Sequence, residues 1–330
     1  MLMPEAEFKK QVSIRMTKNH LTLDDVLIIA EYFGVSFSAC YYRMINLIST
    51  PFAEKISKRT LKNYHPDLKR KQLGFDDSKL LSDLFDVWDD IDFDYSDKHA
   101  RRMFKSNYIY NDARLEGVCL QQEEVGEIVA DLRANTQKSQ YCNPAYEVFC
   151  HVAGHAAMYE KIFELTNDQS CSIFLLGMLN SLLFSCFPNP EYGGVTRKNN
   201  TLVLGAKFET IDFRDIATEL LRLETVLSKL IADACAISRS EYIRRVIGIH
   251  HRITVIHPYS DGNGRTSRAF MNLLFILQGI PPIYFCVRVK DEYCDALSYM
   301  DTNADSSVLL SLVFKTIMFS HAELHNQGSY

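Results

Sequence analysis

Residues 257–268 form a polar segment with two glycines that leads directly into an apolar run at residues 269–277. Gly262 and Gly264 leave room for backbone N–H groups to converge on one anion, because neither residue carries a Cβ atom. The apolar run predicts a buried helix, and the positive end of its dipole would point at the same anion. A loop of this kind at the start of a helix suits a polyphosphate, so the sequence predicts a phosphate-binding site here.

The side chains of residues 257–268 match the roles needed for phosphoryl or nucleotidyl transfer. His257 is the candidate general base, since an imidazole can take a hydroxyl proton near neutral pH. Asp261 is the candidate ligand for Mg²⁺ or Mn²⁺, because these cations prefer carboxylate and phosphate oxygens. The other polar positions are candidate phosphate-binding residues: Gly262, Asn263, Gly264, Arg265, Thr266, Ser267 and Arg268. A Gly-Asn-Gly turn alone is common before a helix, but it does not explain why all these roles occur together.

The segment His-Pro-Tyr-Ser-Asp-Gly-Asn-Gly-Arg-Thr-Ser-Arg resembles the Fic family signature, His-Pro-Phe-x-Asp-Gly-Asn-Gly-Arg-x-x-Arg. Tyr259 replaces the phenylalanine, and a buried aromatic position tolerates an added hydroxyl that finds a partner. The similarity in layout extends from about residue 108 to about residue 320. The resemblance implies an all-α fold, a Fic-type helical core with a small β-hairpin flap, preceded by a helix-turn-helix-like N-terminal module.

The resemblance also implies the activity of a protein adenylyltransferase, with ATP as co-substrate and His257 as catalytic base. A Tyr, Thr or Ser hydroxyl of a target protein attacks the α-phosphate of ATP, and pyrophosphate leaves. Related family members transfer UMP, phosphate or phosphocholine, so the signature leaves the donor open. Two rival functions stay open: removal of AMP from a modified protein, and a DNA- or protein-binding regulator whose Fic core senses nucleotides.

Residues 193–197 and 201–205 flank a polar turn at residues 198–200, and the pattern predicts two short strands that form a β-hairpin. The Fic fold has its flap at this place in chain order. The resemblance therefore implies that the flap pairs with a target segment by strand addition and holds its hydroxyl in line. The flap residues expected beside the nucleotide and target are Leu202, Val203, Leu204 and Gly205.

Tyr293 and Asp301 fall where the family places contacts to the base and ribose. The family often has a second tyrosine and an asparagine there, whereas this chain has Cys294 and Asp301. The identity of the base therefore stays open. Tyr293 as an ordinary core aromatic is an equally acceptable interpretation.

Residues 112–117 read Asp-Ala-Arg-Leu-Glu-Gly and resemble the inhibitory motif of the family, [Ser/Thr]-x-x-x-Glu-[Gly/Asn]. Asp112 stands where a hydroxyl residue is usual. The resemblance implies self-inhibition, in which Glu116 pairs with Arg268 and occupies the place of the γ-phosphate. The alternative is an ordinary Glu-Gly helix end.

The sequence predicts three regions along the chain. They are a helical N-terminal module (1–70), an acidic connecting helix (71–107) and a Fic domain (108–330), with an inhibitory helix (108–135) and a catalytic core (145–320). In the first region, Gly34 suits a helix C-cap and Ser36 the next N-cap. This region resembles the helical tail of ImmA/IrrE-type proteins, but the chain has no HExxH motif and therefore no zinc chemistry from that source. DNA binding by residues 1–70 is less expected than a helical interaction module.

Two local patterns conflict with simple propensity. Residues 249–256 are β-branched, but the helical spacing that begins at Ser240 favours a helix. Residues 173–187 are apolar but interrupted by polar residues, which favours a buried helix over a membrane span. His151 and His155 share a helix face, yet without a zinc-peptidase glutamate they are expected to be structural.

Composition supports a soluble, cytoplasmic protein. The net charge is −5, so no global field recruits nucleic acid or an acidic membrane. The nine cysteines lack any CxxC pair and are expected to be reduced. The expected partners are ATP and a target protein docked on the flap, with self-modification and homodimerisation as further possibilities and no membrane partner.

Overall fold

The computed structural model describes residues 3–16, 21–47, 61, 63–73, 78–88, 98–119, 121–134, 147–165, 171–203 and 209–326. The chain divides into two compact units, Met1–Asp76 and Asp77–Tyr330. Each unit is built from helices and the loops between them. Across the described residues, every helix is too short or too polar to cross a membrane.

The described residues of the first unit form four helices: α1 (Glu5–Arg15), α2 (Leu23–Phe33), α3 (Phe37–Leu47) and α4 (Pro66–Gln72). Helix α2 ends at Gly34, whose φ of 61° and ψ of 39° lie in the left-handed region that favours glycine. Ser36 caps α3, because its hydroxyl accepts a hydrogen bond from the backbone N–H of Ala39 at 3.2 Å. The predicted helix, glycine turn and second helix are therefore confirmed.

The described residues of the second unit form ten α-helices and three short 3-10 helices. The α-helices are α5 (Ser78–Val87), α6 (Lys98–Leu115), α7 (Gln122–Ala134), α8 (Glu147–Leu165), α9 (Leu175–Leu183), α10 (Ile216–Asp233), α11 (Arg239–Ile256), α12 (Asn263–Ile276), α13 (Lys290–Asn303) and α14 (Ser307–Asn326). The all-α class predicted from the sequence is confirmed.

Helix α12 is the core of the second unit. Its apolar residues Ala269 to Ile276 are all buried, as predicted from the run that follows the signature. Asn272 is also buried, and its amide is fully used: it donates to the hydroxyl of Tyr159 at 2.9 Å and exchanges two hydrogen bonds with the backbone of Ile283. A buried amide satisfied in this way holds α12 against its neighbours without a desolvation penalty.

Helix α11 confirms the prediction made against β propensity. It runs unbroken from Arg239 to Ile256 and starts with Ser238, whose hydroxyl accepts from the backbone N–H of Glu241 at 3.3 Å. Isoleucines of this helix are buried at positions 243, 247, 249, 253 and 256. Packing of that face outweighs the local preference of β-branched residues for strands.

The predicted hairpin is not formed in its described part, residues 193–203. Thr196 instead makes an isolated antiparallel bridge with Tyr259. The backbone N–H of Arg197 donates to the carbonyl of Pro258 at 2.9 Å, so this segment pairs with the loop after α11 rather than with itself. Leu204 and Gly205 lie outside the described residues.

Residues 108–135, predicted as one inhibitory helix, are divided between α6 and α7. Helix α6 ends at Leu115, and Gly117 follows in the left-handed region with a φ of 87°. Residues 71–107, predicted as one connecting helix, contain α5 as a separate helix. Phe85 of α5 is buried and stacks on Phe314 with ring centroids 4.5 Å apart.

Candidate active site

His257 ends α11 in a backbone conformation that is unusual for a residue with a Cβ atom. Its φ of 49° and ψ of 58° are left-handed. Arg197 stabilises this turn, because its Nε donates to the carbonyl of His257 at 2.7 Å and its Nη2 donates to the carbonyl of Ile256 at 3.3 Å. The turn places the His257 side chain on the wall of a cavity.

The imidazole of His257 is suited to accept a proton. Burial is the main cause that lowers the pKa of His257, and the positive charge of Arg197 lowers it further. The hydrogen bond to the backbone of Thr254 partly offsets these effects. The ring is therefore neutral near pH 7. Its Nδ1 faces the carbonyl of Thr254 at 3.3 Å, so Nδ1 carries the hydrogen and Nε2 is left as the proton acceptor.

The loop before α12 is braced by Asn263. The side-chain amide donates to the carbonyl of Tyr259 at 2.7 Å and accepts from the backbone N–H of Tyr259 at 2.8 Å. Asn263 is only 3% exposed. This side chain, predicted to contact phosphates, therefore holds the loop in shape, and its own polar atoms are already bonded.

Gly262 and Gly264 are required where they stand. Gly262 has a left-handed φ of 75°, and an added Cβ would lie 2.8 Å from Phe184 and 2.9 Å from Asn180. At Gly264 an added Cβ would lie 2.9 Å from the carboxylate of Glu116 and 3.0 Å from the guanidinium of Arg268. The missing side chains keep the start of α12 open beside these two charged groups.

Thr266 and Ser267 do not offer their hydroxyls to the cavity. Both residues are fully buried. The Thr266 hydroxyl accepts from Asn180 at 3.1 Å, and the Ser267 hydroxyl donates to the carbonyl of Gly264 at 2.9 Å. Their polar atoms stabilise the first turn of α12 rather than a ligand.

Arg265 lies under the loop and beside Asp261. Its Nη2 donates to Asp261 Oδ1 at 3.1 Å, its Nη1 is 3.2 Å from His151 Nδ1, and its guanidinium lies over the ring of Phe184. The side chain of Asp261 is 71% exposed, whereas that of Arg265 is 4% exposed. Asp261 thus presents an accessible carboxylate at the start of α12, held in place from below.

Arg268 is held by two carboxylates from α6 and its C-terminal end. Its Nη2 donates to Glu116 Oε1 at 2.6 Å, and its Nε donates to Asp112 Oδ1. Arg268 is 5% exposed and Asp112 is 1% exposed. The predicted pairing of Glu116 with Arg268 is therefore present.

Only part of this site lines one cavity of about 340 Å³. The predicted nucleotide-binding residues that are absent from its wall are Asp261, Gly262, Asn263, Arg265, Thr266 and Ser267. Six of the residues singled out from the sequence lie on its wall besides His257: Glu116, Val203, Gly264, Arg268, Tyr293 and Asp301. Leu202, also expected there, is 80% exposed and does not line the cavity. A cavity of this size suits a small ligand that carries both apolar and anionic parts.

Tyr293 and Asp301 are both tied to α11. The Tyr293 hydroxyl is 2.7 Å from His250 Nε2, and Asp301 Oδ1 is 2.6 Å from His251 Nε2. Burial lowers the pKa of His250 to about 3, so this ring is neutral. The second carboxylate oxygen of Asp301 is buried and has no hydrogen-bond partner in the described residues, which leaves one acceptor at the cavity wall.

Arg197 and Lys290 are the charged site residues that sequence reasoning missed, and Thr254, Leu297 and Ser298 of the cavity wall were also not singled out. Lys290 lines the cavity and donates to the carbonyl of Leu115 at 2.5 Å, which caps the end of α6 just before Glu116. Its spacing of three from Tyr293 on α13 places both on one helix face, and that pattern could have indicated it. Nothing local marks Arg197, because its partners lie up to 60 residues away.

Residues 178–275 match the family model of the Fic/DOC family. This range contains the loop, α12 and the signature that opens it, so the match identifies a Fic/DOC family domain in this part of the chain. The protein adenylyltransferase fic-1 of Caenorhabditis briggsae is 38% identical over 55 residues, which are 17% of this chain and 11% of that relative. The chain thus matches about a tenth of the length of that relative.

Two solved structures are similar in fold. A Fic-domain-containing signaling protein from Bacteroides thetaiotaomicron has a TM-score of 0.59 at 19% identity, covering 75% of this chain and 96% of that one. Fic-1 from C. elegans has a TM-score of 0.58 at 17% identity, covering 98% of this chain and 92% of that one. At such identities the likeness establishes the fold.

Proposed function

We propose that the chain is a protein adenylyltransferase, which transfers AMP from ATP to a Tyr, Thr or Ser hydroxyl and is restrained by Glu116. The observation that carries the proposal is that His257, Gly264 at the start of α12 and Arg268 line one cavity. Nucleotidyl transfer needs a base, an anion-binding surface and an in-line attacker, and this grouping of residues supports the proposal of the first two.

In this proposal, His257 Nε2 takes the proton of the attacking hydroxyl. The N–H groups at the start of α12 and the guanidinium group of Arg268 bind the phosphates, whereas Arg265, which does not line the cavity, holds Asp261. Val203 lines the cavity and Leu202 is exposed beside it, so the target segment would lie along this part of the chain. Asn263, Thr266 and Ser267 contribute by holding the loop and the first helical turn.

Asp261 fits the role of metal ligand. Its exposed carboxylate lies at the start of α12. Among the described residues, no group of three acidic, histidine or cysteine side chains lies close enough together to form a metal site by itself. Mg²⁺ is commonly held by one or two carboxylates together with phosphates and water, which agrees with a single protein ligand. When bound, Mg²⁺ or Mn²⁺ would neutralise phosphate charge at this place.

Restraint by Glu116 follows from its pairing with Arg268. A carboxylate within 2.6 Å of the guanidinium occupies the donors that a terminal phosphate would use. Lys290 fixes the helix end that carries Glu116, through its bond to Leu115. ATP would then bind without the Arg268 contact until Glu116 moves away.

The test is intact-protein mass spectrometry after incubation with each nucleoside triphosphate and Mg²⁺. We expect Glu116→Gly to gain the mass of one AMP from ATP far faster than wild type. In the same background, His257→Ala should slow labelling by about 10²–10⁴-fold, the usual contribution of a general base. His65→Ala, a histidine of the first unit, is the matched control and should label like its parent.

Three outcomes would contradict the proposal. Equal labelling of wild type and Glu116→Gly would reject the restraint, and undiminished labelling of the His257→Ala double variant would reject the base. If another nucleoside triphosphate labels the protein and ATP does not, ATP is rejected as the donor. If no triphosphate adds mass but the protein releases AMP from a modified substrate, the site removes the group instead.

A further inference from the structure

We propose that Asp112 and His155 are positioning residues: they clamp Arg268 independently of Glu116 and leave its positive charge available to the terminal phosphate. This inference rests on the proposed function, since that function supplies the phosphate. It concerns Asp112, which stands where the inhibitory motif usually has a hydroxyl residue, and a histidine with no assigned role.

Glu116 and Asp112, whose carboxylates both bind Arg268, differ in how easily they can move away from it. The side chain of Glu116 is 35% exposed and lines the cavity, whereas that of Asp112 is 1% exposed and does not. Glu116 follows the last residue of α6, while Asp112 lies within the helix. An entering phosphate can therefore displace Glu116 into solvent, but Asp112 remains bound to the guanidinium Nε.

His155 fixes Asp112 from the other side. The ring is fully buried, and its Nε2 lies 3.0 Å from Asp112 Oδ2 while its Nδ1 lies 2.9 Å from the carbonyl of His151. Both partners can only accept hydrogen bonds, so both ring nitrogens carry a hydrogen and the ring is an imidazolium. Each oxygen of Asp112 is thus bound by a different cation.

The protonation state of Asp112 agrees with this arrangement. Burial by itself would raise the pKa of Asp112, but the charges of Arg268 and His155 outweigh it and bring the value down to about 2. The carboxylate is therefore ionised throughout the working pH range. His155, Asp112, Arg268 and Glu116 form a chain of alternating charge.

This chain leaves a positive charge when Glu116 departs. With Glu116 in place, the positive charges of His155 and Arg268 are balanced by the negative charges of Asp112 and Glu116. Once Glu116 has left, the charge of Asp112 is already neutralised by His155, and the charge of Arg268 is left for an anion in the cavity. Asp112 keeps the Arg268 guanidinium in the same orientation, so its N–H groups are already aligned when a triphosphate binds.

The experiment measures ATP and ADP affinities by titration calorimetry with Mg²⁺, in the Glu116→Gly background. Loss of one charge-assisted contact to the terminal phosphate corresponds to about tenfold in affinity. We expect Arg268→Gln, Asp112→Ser and His155→Gln each to reduce the ATP-to-ADP affinity ratio by about tenfold. ADP binding itself should change little, because ADP lacks that phosphate.

Lys105→Gln is the matched control. Lys105 is buried on α6 and pairs with Glu160 of α8, so it links the same two helices as Asp112 and His155 without contacting Arg268. Its removal weakens the helix contact and should leave the affinity ratio unchanged. His155→Gln keeps a side-chain donor for Asp112 while removing the charge, so it decides the question if Asp112→Ser does not fold.

The outcomes separate this inference from the proposed function. If Arg268→Gln lowers the ratio but His155→Gln and folded Asp112→Ser do not, the clamp is only structural and the inference is overturned alone. If Arg268→Gln also leaves the ratio unchanged, the terminal-phosphate contact assumed in the proposed function fails as well. A fall in the ratio for Lys105→Gln would show that any loosening of α6 suffices, and would also overturn the inference.

Discussion

Tyr259 occupies the position where the family signature has phenylalanine, and its surroundings explain why both residues fit. The residue is 4% exposed, and its backbone is held by Asn263 on one side and Thr196 on the other. Its hydroxyl makes no hydrogen bond to any described residue and points towards Gly177, where an added Cβ would lie 3.7 Å from it. The ring fills space, and the hydroxyl contributes little.

Replacing Tyr259 with phenylalanine should therefore change the free energy of unfolding by less than about 0.5 kcal/mol, because no internal hydrogen bond is lost. Tyr242→Phe is the comparison, since that buried hydroxyl donates to the carbonyl of Leu274 at 2.8 Å. It should cost about 1–2 kcal/mol, as expected when a buried acceptor loses its donor. Urea denaturation followed by circular dichroism measures both, and equal losses would contradict this account of Tyr259.

At the scale of elements, α8 and α9 pack closely enough to bring backbone against backbone. A Cβ added to Gly154 of α8 would lie 1.9 Å from the carbonyl oxygen of Leu183 at the end of α9. Helix α8 carries His151 and His155, and α9 carries Asn180, which binds the carbonyl of Asp261 at 3.1 Å. The spacing of these helices therefore sets the distance between the arginines and the loop.

Gly154→Ala should lower the free energy of unfolding by about 1–3 kcal/mol, since the overpacking outweighs the better helix propensity of alanine. Gly248→Ala in α11 is the matched control, because an added Cβ there meets nothing within 4 Å. That variant should be stabilised by about 0.5–1 kcal/mol. Thermal and urea denaturation report both effects, and a stable Gly154→Ala would mean that α8 and α9 can move apart freely.

At the scale of the whole molecule, the buried His250 and the partly buried His151 and His257 make stability depend on pH. Burial lowers the pKa of His151 to about 4 and that of His250 to about 3, and it also lowers that of His257. Unfolded histidines have a pKa near about 6.5, so the unfolded chain binds more protons between these values. The stability that comes from keeping the rings neutral is therefore complete above about pH 6.5 and is lost as pH falls.

We expect the free energy of unfolding to decrease between pH 6.5 and pH 4.5 by about 1.4 kcal/mol per pH unit for each of His151 and His250, with a further decrease in the same direction from His257. His250→Gln, which can keep a bond to the Tyr293 hydroxyl, should reduce this slope by one histidine's share. Denaturation in urea at a series of pH values gives the slope directly. A stability that is constant over this interval would show that these rings are already charged in the folded protein.

Residues 1–70 contain a helix, a glycine turn and a second helix, which is the outline of a helix-turn-helix. A mobility-shift assay with residues 1–100 tests whether this part of the chain binds DNA. Failure to bind any DNA sequence would leave the interaction module as the remaining interpretation.

The sequence by itself determined the features that depend on neighbours along the chain. The spacing of apolar residues predicts the burial of α12 and the helical state of residues 239–256. Local capping chemistry predicts the helix end at Gly34 and the helix start at Ser36. The resemblance of residues 112–117 to the inhibitory motif also identified Glu116 as the partner of Arg268, although 152 residues separate them.

Tertiary structure decided which polar groups face the ligand and which hold the loop. Asn263, Thr266 and Ser267 look like phosphate-binding residues in the sequence, yet their side chains bind Tyr259, Asn180 and Gly264. In the described part of the predicted hairpin, Thr196 and Arg197 pair with Tyr259 and Pro258 of the loop after α11. The physical reason is that a hydrogen-bonding group takes whichever partner the fold brings within about 3 Å, and for buried groups that partner is commonly far away in the chain.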